Sequence, residues 1–448
     1  MTIERKNKPA IVFLWRFNAF NLMGFFLLVI LLGALALKFS GSWKEDLSFT
    51  DAAFTAASAV CVSGLSVIDL SRFDRLGGII ILCLIQTGGL GIISFSCITL
   101  IMPGIRFGLT GSGAIKNFFL EDIEYRPKLI IRSIIIFTLL IEAIGTVCLS
   151  FLFYQRNIDD WLFTAVFHSV SAFCNTGLSI FPAQLCDFSN DIPVLIVLSA
   201  LIISGGLGFL VLYDIFHLQR AKNRRLSYHS KIVLFMTLFI LLIGTALFFS
   251  IERSRVFSGM DTLYTLVNSF FQTVNTRSSG FEVVVQSGLS QPSKLITSIL
   301  MIVGGAPGSI AGGIKVTTLF IILVFLLKRP DKYGDINIFH HRLCSATIID
   351  ALAYVLKALF LLLICILALS VVEGLRGAPL TALIFDSISA FATVGLSLGI
   401  TPSLSTVGKW IIIATMFAGR VGLFALSFHV IKTLSCNIAY PKGSLLLE

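Results

Sequence analysis

The chain has 448 residues, of which 56% are hydrophobic and only 13% are charged. Soluble proteins carry roughly 25% charged residues, so this composition excludes an ordinary soluble protein. The formal net charge is +10, but the basic residues fall in short loops, as they do in membrane proteins, so nucleic acid is not an expected partner. The sequence therefore predicts a polytopic membrane protein surrounded by membrane lipid.

Eight long apolar segments are predicted to cross the membrane, since about twenty apolar residues span a bilayer as a helix. A shorter apolar piece lies between the two members of each successive pair. These pieces are too short to cross the membrane, so we expect four re-entrant segments. In chain order the long segments lie at about 10–38, 76–101, 129–153, 191–216, 231–250, 292–327, 346–372 and 405–431.

The four short pieces share one sequence pattern. Each contains a phenylalanine ten residues before a glycine, and three of the four have a serine six residues before it. The windows align without gaps: FTAASAVCVSGLS from Phe54, FHSVSAFCNTGLS from Phe167, FFQTVNTRSSGFE from Phe270 and FDSISAFATVGLS from Phe385. Repeats at a fixed spacing indicate one structural unit written several times. The unit is predicted to be a helix, a half-helix, a glycine strand and a second helix.

These observations predict an all-α polytopic membrane protein with eight transmembrane helices and four re-entrant pore helices. Four tandem helix–pore loop–helix repeats would surround one pore with pseudo-fourfold symmetry. Their expected boundaries are 1–105, 106–220, 221–330 and 331–448, with glycine strands near 61–66, 174–179, 276–281 and 392–397.

Loop charge predicts the orientation. The loops at 218–231 and 328–342 and the N-terminal tail are basic, whereas the loops around the glycine strands are rich in Asp and Glu. Basic loops stay on the cytoplasmic side, so both termini are expected in the cytoplasm and the glycine strands on the outer side of the cell membrane.

Four glycine strands at membrane depth predict a cation filter. Irregular backbone is tolerated there only where it is buried in protein or lines a water-filled cavity, and rings of carbonyl oxygens replace the hydration shell of a monovalent cation. Glycine permits the necessary dihedral angles and the close approach of four backbones. The C-termini of the half-helices would add negative potential. The expected potassium-binding residues are Cys61, Val62, Ser63, Gly64, Cys174, Asn175, Thr176, Gly177, Arg277, Ser278, Ser279, Gly280, Ala392, Thr393, Val394 and Gly395.

The sixth apolar segment, 292–327, is longer than a membrane-spanning helix needs to be. Clustered glycines and a proline interrupt it, so its middle, 304–315, is predicted to be an unwound gate below the filter. A simple glycine kink is the alternative. The expected gate residues are Gly304, Gly305, Ala306, Pro307, Gly308, Ser309, Gly312, Gly313, Lys315 and Arg420.

Arg420 and Lys315 are expected beside this gate. A charge deep in a membrane faces a cavity or a partner rather than lipid. Arg420 either pairs with carbonyls of the broken helix or forms an electrostatic barrier in the pore. Lys315 either holds the carbonyls of the loop or repels cations.

Five further polar side chains have expected roles near the filter or in the spans. Arg277 is predicted to brace the third glycine strand, and His168 and Asp386 to pack behind the filter. Glu142 is expected to make a polar contact between helices and Lys357 to extend toward the membrane surface, with a role as ion ligands as the alternative.

Nothing in the sequence predicts an enzyme or a transition-metal site. An intramembrane enzyme needs paired acids, a Ser/Lys pair or a metal cluster facing a cavity, and the only acid motif that stands out is Asp159-Asp160, in a predicted outer loop. The nine cysteines contain no C-x-x-C pair and are interpreted as small buried apolar residues, so no cofactor is expected in this chain.

The combined motifs resemble the Trk/Ktr/HKT superfamily of potassium transporters, and most closely the Ktr-type membrane subunit. The resemblance covers nearly the whole chain. It is carried by VCVSGLS at 60–66, CNTGLS at 174–179, NTRSSGF at 275–281, ATVGLS at 392–397, GGAPGSIAGGIKVTT at 304–318 and AGRVG at 418–422.

The resemblance implies potassium uptake through one pore, often modulated by sodium. Serine at the first filter position is associated with sodium-selective members, and Gly64 stands there, which favours potassium; a sodium-selective or poorly selective relative is the alternative. The resemblance further implies a homodimer on a cytosolic ring of KtrA-like regulatory subunits that bind the nucleotide, ATP or ADP. The loops at 218–231 and 328–342 are the expected docking surfaces. A non-conducting scaffold is a further alternative.

Overall fold

The computed structural model describes residues 19–43, 47–101, 127–218, 226–330, 334–338 and 341–422. The N-terminal tail, half of the basic loop at 218–231, parts of the loop at 328–342 and the C-terminal tail lie outside these residues. The helices are α1 (Ala19–Phe39), α2 (Phe49–Cys61), α3 (Arg75–Ile101), α4 (Pro127–Gln155), α5 (Trp161–Phe173), α6 (Ile192–Leu207), α7 (Phe209–Leu218), α8 (Tyr228–Glu252), α9 (Thr262–Thr276), α10 (Gln291–Ile302), α11 (Val316–Leu327), α12 (Ser345–Gly374), α13 (Leu380–Ala392) and α14 (Thr406–Phe417).

Within the described residues, three stretches are unbroken, long and apolar enough to cross a membrane. They are Arg132–Gln155, Tyr228–Glu252 and Ser345–Gly374, of 24, 25 and 30 residues. One face of these helices is exposed and apolar: Leu139, Leu242 and Leu363, for example, are all more than half exposed. Such faces suit contact with lipid tails.

Two of the predicted spans are broken. Helices α6 and α7 meet at an angle of 104° around Gly208, although 191–216 was expected to be one continuous segment. Gly208 has a φ of +84°, which ends α6 because a residue with a Cβ rarely adopts that conformation. The expected interruption of 292–327 is present, since α10 ends at Ile302 and α11 begins at Val316.

Four short helices, α2, α5, α9 and α13, each end just before one of the four glycine strands. They have 13 to 15 residues and are almost entirely buried along their C-terminal halves. Asp160, Asp261 and Pro379 are the N-cap residues of α5, α9 and α13, and Asp51 lies in the first turn of α2. Acidic residues stabilise the positive end of a helix dipole at the N-terminus. The negative end, at the C-terminus, faces the glycine strand that follows each helix.

In three repeats, a charged residue at the end of one long helix contacts the N-cap residue of the helix that follows the glycine strand. Glu252, at the end of α8, accepts a hydrogen bond from the backbone N–H of Ser290 at 3.0 Å, and Glu373 does the same for Ser405 at 2.9 Å. Ser290 and Ser405 are the N-cap residues of α10 and α14. In the second repeat the charges are reversed, because the N-cap residue of α6 is Asp191 and its partner is Arg156.

The described residues are not purely helical. Strands β1 (Ile336–Ile338) and β2 (His341–Leu343) form an antiparallel hairpin within the connection between α11 and α12. Ile336 and Ile338 are buried in a cluster with residues of α8 and α11. This corrects the all-α prediction locally, and the hairpin forms because it buries two isoleucines against the helix ends.

Candidate functional site

The four repeat glycines form one closed ring. Gly64, Gly177, Gly280 and Gly395 all have positive φ, at 83°, 71°, 74° and 104°. A Cβ placed on any one of them would collide with the carbonyl oxygen of the residue before the glycine of the next repeat: Gly64 faces Thr176, Gly177 faces Ser279, Gly280 faces Val394 and Gly395 faces Ser63. These contacts run from repeat one to two, from two to three, from three to four and from four back to one, so the four strands surround a single axis.

Three of the strands leave their helices in the same way. The N–H of the residue before the glycine bonds the carbonyl six residues before the glycine: Ser63 to Ser58 and Thr176 to Ser171 at 2.8 Å, and Val394 to Ser389 at 2.9 Å. One residue earlier in each strand, Val62, Asn175 and Thr393 have φ between 52° and 56°. This left-handed helix ending turns the chain sharply from the helix into the strand.

The third strand is built differently. Among the described residues, no non-glycine residue of this strand has a positive φ, and α9 runs on to Thr276. Asn275 holds the strand instead: its side-chain oxygen accepts the N–H of Phe281 at 2.7 Å and its amide donates to the carbonyl of the same residue. Arg277, the expected brace, has a hydrogen bond to a different part of the chain. Its guanidinium donates to the carbonyl of Gly304 at 3.3 Å, because it extends from the helix end toward the unwound loop.

In each of two opposite repeats, a buried polar side chain of the short helix bonds a residue that follows the glycine. His168 lies nine residues before Gly177, and its Nε2 bonds the hydroxyl of Ser179 at 2.9 Å. Asp386, nine residues before Gly395, accepts the hydroxyl of Ser397 at 2.8 Å. Both serines stand two residues after their glycines, so these side chains do more than fill space: each one fixes the far end of a strand.

Several hydroxyl groups at the ring have no protein partner. Within the described residues, the side-chain oxygens of Ser63, Thr176, Ser279 and Thr393 are buried and make no hydrogen bond. Buried polar groups are nearly always paired, so an unpaired set at one place calls for an explanation. Oxygen ligands replace the hydration shell of a monovalent cation, so a set of free hydroxyl groups suits a cation site.

The unwound segment between α10 and α11 packs on the break between α6 and α7. The N–H of Ala306 donates to the carbonyl of Gly206 at 2.9 Å, and the N–H of Phe209 donates to the carbonyl of Gly308 at 3.2 Å. A Cβ on Gly208 would lie 2.8 Å from the carbonyl oxygen of Pro307. The two broken helices therefore satisfy part of each other's free backbone groups.

The same segment, hereafter the 303–315 loop, lies directly against the glycine strands. A Cβ on Gly312 would collide with the side chain of Thr393 and lie 2.7 Å from the carbonyl of Ala392. Ile310 is fully buried, and its Cγ2 would be 3.6 Å from a Cβ on Gly89, which belongs to α3. The loop comes from the third repeat and contacts the first, second and fourth. It thus lies on the helix side of the ring, in contact with all three other repeats.

Three basic side chains donate hydrogen bonds to carbonyls of this loop. Arg277 bonds Gly304, the Lys315 Nζ bonds Ala311 at 2.7 Å, and Arg420 bonds Ile310. Arg420 is 6% exposed and lies in the π-helical turn Ala418–Gly422 that follows α14. Of the two roles expected for Arg420, pairing with loop carbonyls is the contact that the structure contains.

Glu142 contacts the second glycine strand from behind. Its carboxylate accepts a hydrogen bond from Gln86 of α3 at 3.1 Å and lies 3.9 Å from the thiol of Cys174. The expected contact between helices is present, and it reaches a strand residue as well. Lys357 is exposed on α12.

The break between α6 and α7 and the role of Asn275 were not predicted, although each has a visible mark in the sequence. Gly205, Gly206 and Gly208 resemble the glycine cluster of the 303–315 loop and mark the α6–α7 break. Asn275 stands five residues before its glycine, where the other repeats have Ala59, Ala172 and Ala390. No group of three His, Cys, Asp or Glu side chains that could hold a metal ion occurs in the described part of the chain.

Helices long enough to cross a membrane, gathered around a ring of close-packed backbone, are typical of a membrane transport protein. The chain belongs to the TrkH family of cation transport proteins, which it matches over residues 20–437. It is a transporter by family and not an enzyme.

Named relatives agree with this assignment. Ktr system potassium uptake protein B of Bacillus subtilis (strain 168) is 35% identical over 430 residues, which cover 94% of each chain. Potassium/sodium uptake protein NtpJ of Enterococcus hirae is 33% identical over 433 residues, or 95% of each chain. The crystal structure of the potassium transporter TrkH from Vibrio parahaemolyticus superposes with a TM-score of 0.77 at 17% identity, covering 96% of this chain and 87% of that one, and shows a shared fold.

Proposed function

We propose that this chain takes up potassium through one pore on the axis of the glycine ring. Carbonyl oxygens of the four strands would replace the hydration shell of the ion. The observation that carries the proposal is the closed contact of Gly64, Gly177, Gly280 and Gly395, each against a carbonyl of the next repeat. The names of the relatives as potassium uptake proteins support it.

The proposed membrane arrangement is eight transmembrane helices and four pore helices in four repeats, with boundaries at 1–105, 106–220, 221–330 and 331–448. In this arrangement α6 with α7, and α10 with α11, each form one broken span. The face of the ring opposite the 303–315 loop points outward, and both termini are cytoplasmic, as the basic loops favour.

The 303–315 loop is proposed to be the gate. It contacts the other three repeats on the helix side of the ring, which supports a position on the path of an ion that leaves the ring. Arg420 and Lys315 add positive charge at that place, which opposes the passage of cations. Opening requires the loop to leave the axis or the hydrogen bonds from Arg277, Lys315 and Arg420 to break.

A second candidate function is sodium or unselective cation uptake. The third strand lacks the left-handed turn of the other three and is held by Asn275, so the ring departs from fourfold symmetry. Uneven spacing of carbonyls reduces discrimination between ions. One relative is named for both potassium and sodium.

Regulation and assembly are proposed from the relatives named as components of a Ktr system. The chain would form a homodimer on a ring of KtrA-like subunits that bind ATP or ADP, with sodium as a possible modulating ion and the loops at 218–231 and 328–342 as docking surfaces. Neutralising the basic residues of both loops is expected to abolish co-purification with the ring. Unchanged co-purification would contradict the docking proposal.

Uptake of ⁸⁶Rb⁺ by purified protein in liposomes tests the central function. The wild-type protein is expected to take up ⁸⁶Rb⁺ in a way that excess potassium suppresses and excess sodium suppresses weakly. Gly395→Ser should lose this uptake or its preference for potassium over sodium, because a Cβ there meets the backbone of Ser63 and Gly64. Gly288→Ser is the matched control, since a Cβ on Gly288 has open space around it.

The outcomes separate the candidates. Equal suppression by sodium and potassium would favour the second function. Wild-type uptake that persists unchanged in Gly395→Ser would place the ion path elsewhere, and absence of uptake by the wild type would favour a scaffold role.

A further inference from the structure

Glu282 occupies a distinctive place in the repeat. It stands two residues after Gly280, where the other three repeats have Ser66, Ser179 and Ser397. Two residues span at most about 7 Å, so Glu282 belongs to the layer next to the glycine ring. This layer lies on the face opposite the 303–315 loop, which contacts the residues that precede the glycines.

The contacts of Glu282 hold it at this rim. Its carboxylate accepts a hydrogen bond from the backbone N–H of Ser397 in the fourth repeat. Its main-chain carbonyl accepts the N–H of Leu185 at 2.9 Å and the thiol of Cys186 at 3.6 Å, both in the second repeat. The residue is half-buried. The main chain is thus held to the second repeat and the side chain to the fourth, which keeps Glu282 next to the ring.

The charge of Glu282 is not neutralised by a basic side chain. The ion pairs among the described residues join Asp51, Asp160, Asp191 and Asp335 to Lys or Arg, and none includes Glu282. Its acidic neighbour Asp386 is different, because three donors from Ser397, Leu398 and Thr401 surround that carboxylate. In its ionised form, Glu282 therefore contributes negative potential at the rim. Burial on one side reduces its screening by solvent.

We infer that Glu282 concentrates monovalent cations at the entrance of the pore. The inference rests on the proposed function. Acidic side chains at the mouths of cation channels attract ions electrostatically, and such attraction lowers the KM for the ion without changing the steps that follow. Glu282 also holds the backbone of Ser397. If that were its only role, an effect of its replacement on KM would not depend on ionic strength.

The test measures the KM and Vmax of ⁸⁶Rb⁺ uptake in liposomes at low and high concentrations of choline chloride. Glu282→Gln removes the charge and keeps an oxygen that accepts the Ser397 N–H, whereas Glu282→Ser reproduces the residue of the other repeats and removes both. Asp159→Asn is the matched control, because Asp159 is an exposed acidic residue of a loop.

At low ionic strength, Glu282→Gln is expected to raise the KM about threefold or more with little change in Vmax. The difference should disappear near 1 M choline chloride, where the Debye length falls to about 3 Å. Asp159→Asn should keep the wild-type KM at both concentrations.

Two results would overturn the inference while the wild type still transports: a wild-type KM in Glu282→Gln, or a raised KM that is the same at both ionic strengths. If Glu282→Gln does not reach the membrane, a wild-type KM that is independent of ionic strength would overturn it as well. Wild-type protein that shows no potassium-suppressed uptake would instead refute the proposed function.

Discussion

Arg420 donates a hydrogen bond from its guanidinium to the backbone carbonyl of Ile310, a residue 110 positions earlier in the chain. Arg277 and Lys315 donate to two further carbonyls of the same loop. Unwinding a membrane helix leaves carbonyls without partners, which is costly away from water. The three cations satisfy some of these carbonyls and hold the loop in place.

Replacing Arg420 distinguishes two roles: holding the 303–315 loop by a hydrogen bond, and repelling cations by its charge. Arg420→Gln removes both the charge and the geometry, so the maximal rate of ⁸⁶Rb⁺ uptake is expected to increase severalfold. Arg420→Lys keeps the charge but loses the planar guanidinium, which no shorter amine reproduces. A raised rate in Arg420→Lys supports holding, and a wild-type rate supports an electrostatic barrier. A lower rate in both variants, at equal amounts of protein, would contradict a gate at this loop.

Gly208→Ala should destabilise the junction of the two broken helices. The residue has a φ of +84°, and an added Cβ would lie 2.8 Å from the carbonyl oxygen of Pro307. A non-glycine residue in such a conformation costs about 1–3 kcal/mol. Thermal unfolding of the purified protein is expected to shift to lower temperature. Gly374→Ala is the control, since a Cβ there meets nothing, and an equal shift in both variants would contradict the account.

Asn275→Ala removes the brace of the third strand. The backbone N–H and carbonyl of Phe281, which is fully buried, lose their partner, and such unpaired groups cost about 1–3 kcal/mol. We expect lower thermal stability and weaker discrimination between potassium and sodium in competition assays. Asn190→Ala, at an exposed loop position, should change neither property. Unaltered discrimination in Asn275→Ala would show that the third strand does not set selectivity.

Much of this architecture follows from the sequence because it depends on spacing. The four glycine windows and the interrupted segment are visible as patterns, and the structure brings Gly64, Gly177, Gly280 and Gly395 together. Hydropathy could not show the break at Gly208, because glycine and leucine continue the apolar run through it. The roles of Asn275 and Arg277 depend on which way the third strand leaves its helix, and that geometry is absent from a pattern of residue types.

The β1–β2 hairpin offers a test of pH dependence. The N–H of Ser345 at the start of α12 donates to Asp335 at 3.0 Å, and this bond, with Arg342 beside it, lowers the pKa of the Asp335 carboxyl. A lowered pKa in the folded state means that the contribution is complete above the ordinary pKa of the group and is lost as the pH falls through the folded value. Hydrogen exchange at Ser345, corrected for intrinsic rates, should therefore accelerate only in strong acid. Protection that survives in Asp335→Ala would contradict this role.

If the four strands form one cation path, anomalous diffraction from crystals grown in rubidium will show where the ion binds. Rubidium density is expected on the axis of the ring, close to the carbonyl oxygens of Ser63, Thr176, Ser279 and Val394. The same peak should be absent from crystals of Gly395→Ser. Rubidium found only away from the four glycines, or an axis free of rubidium in the wild-type protein, would contradict the claim.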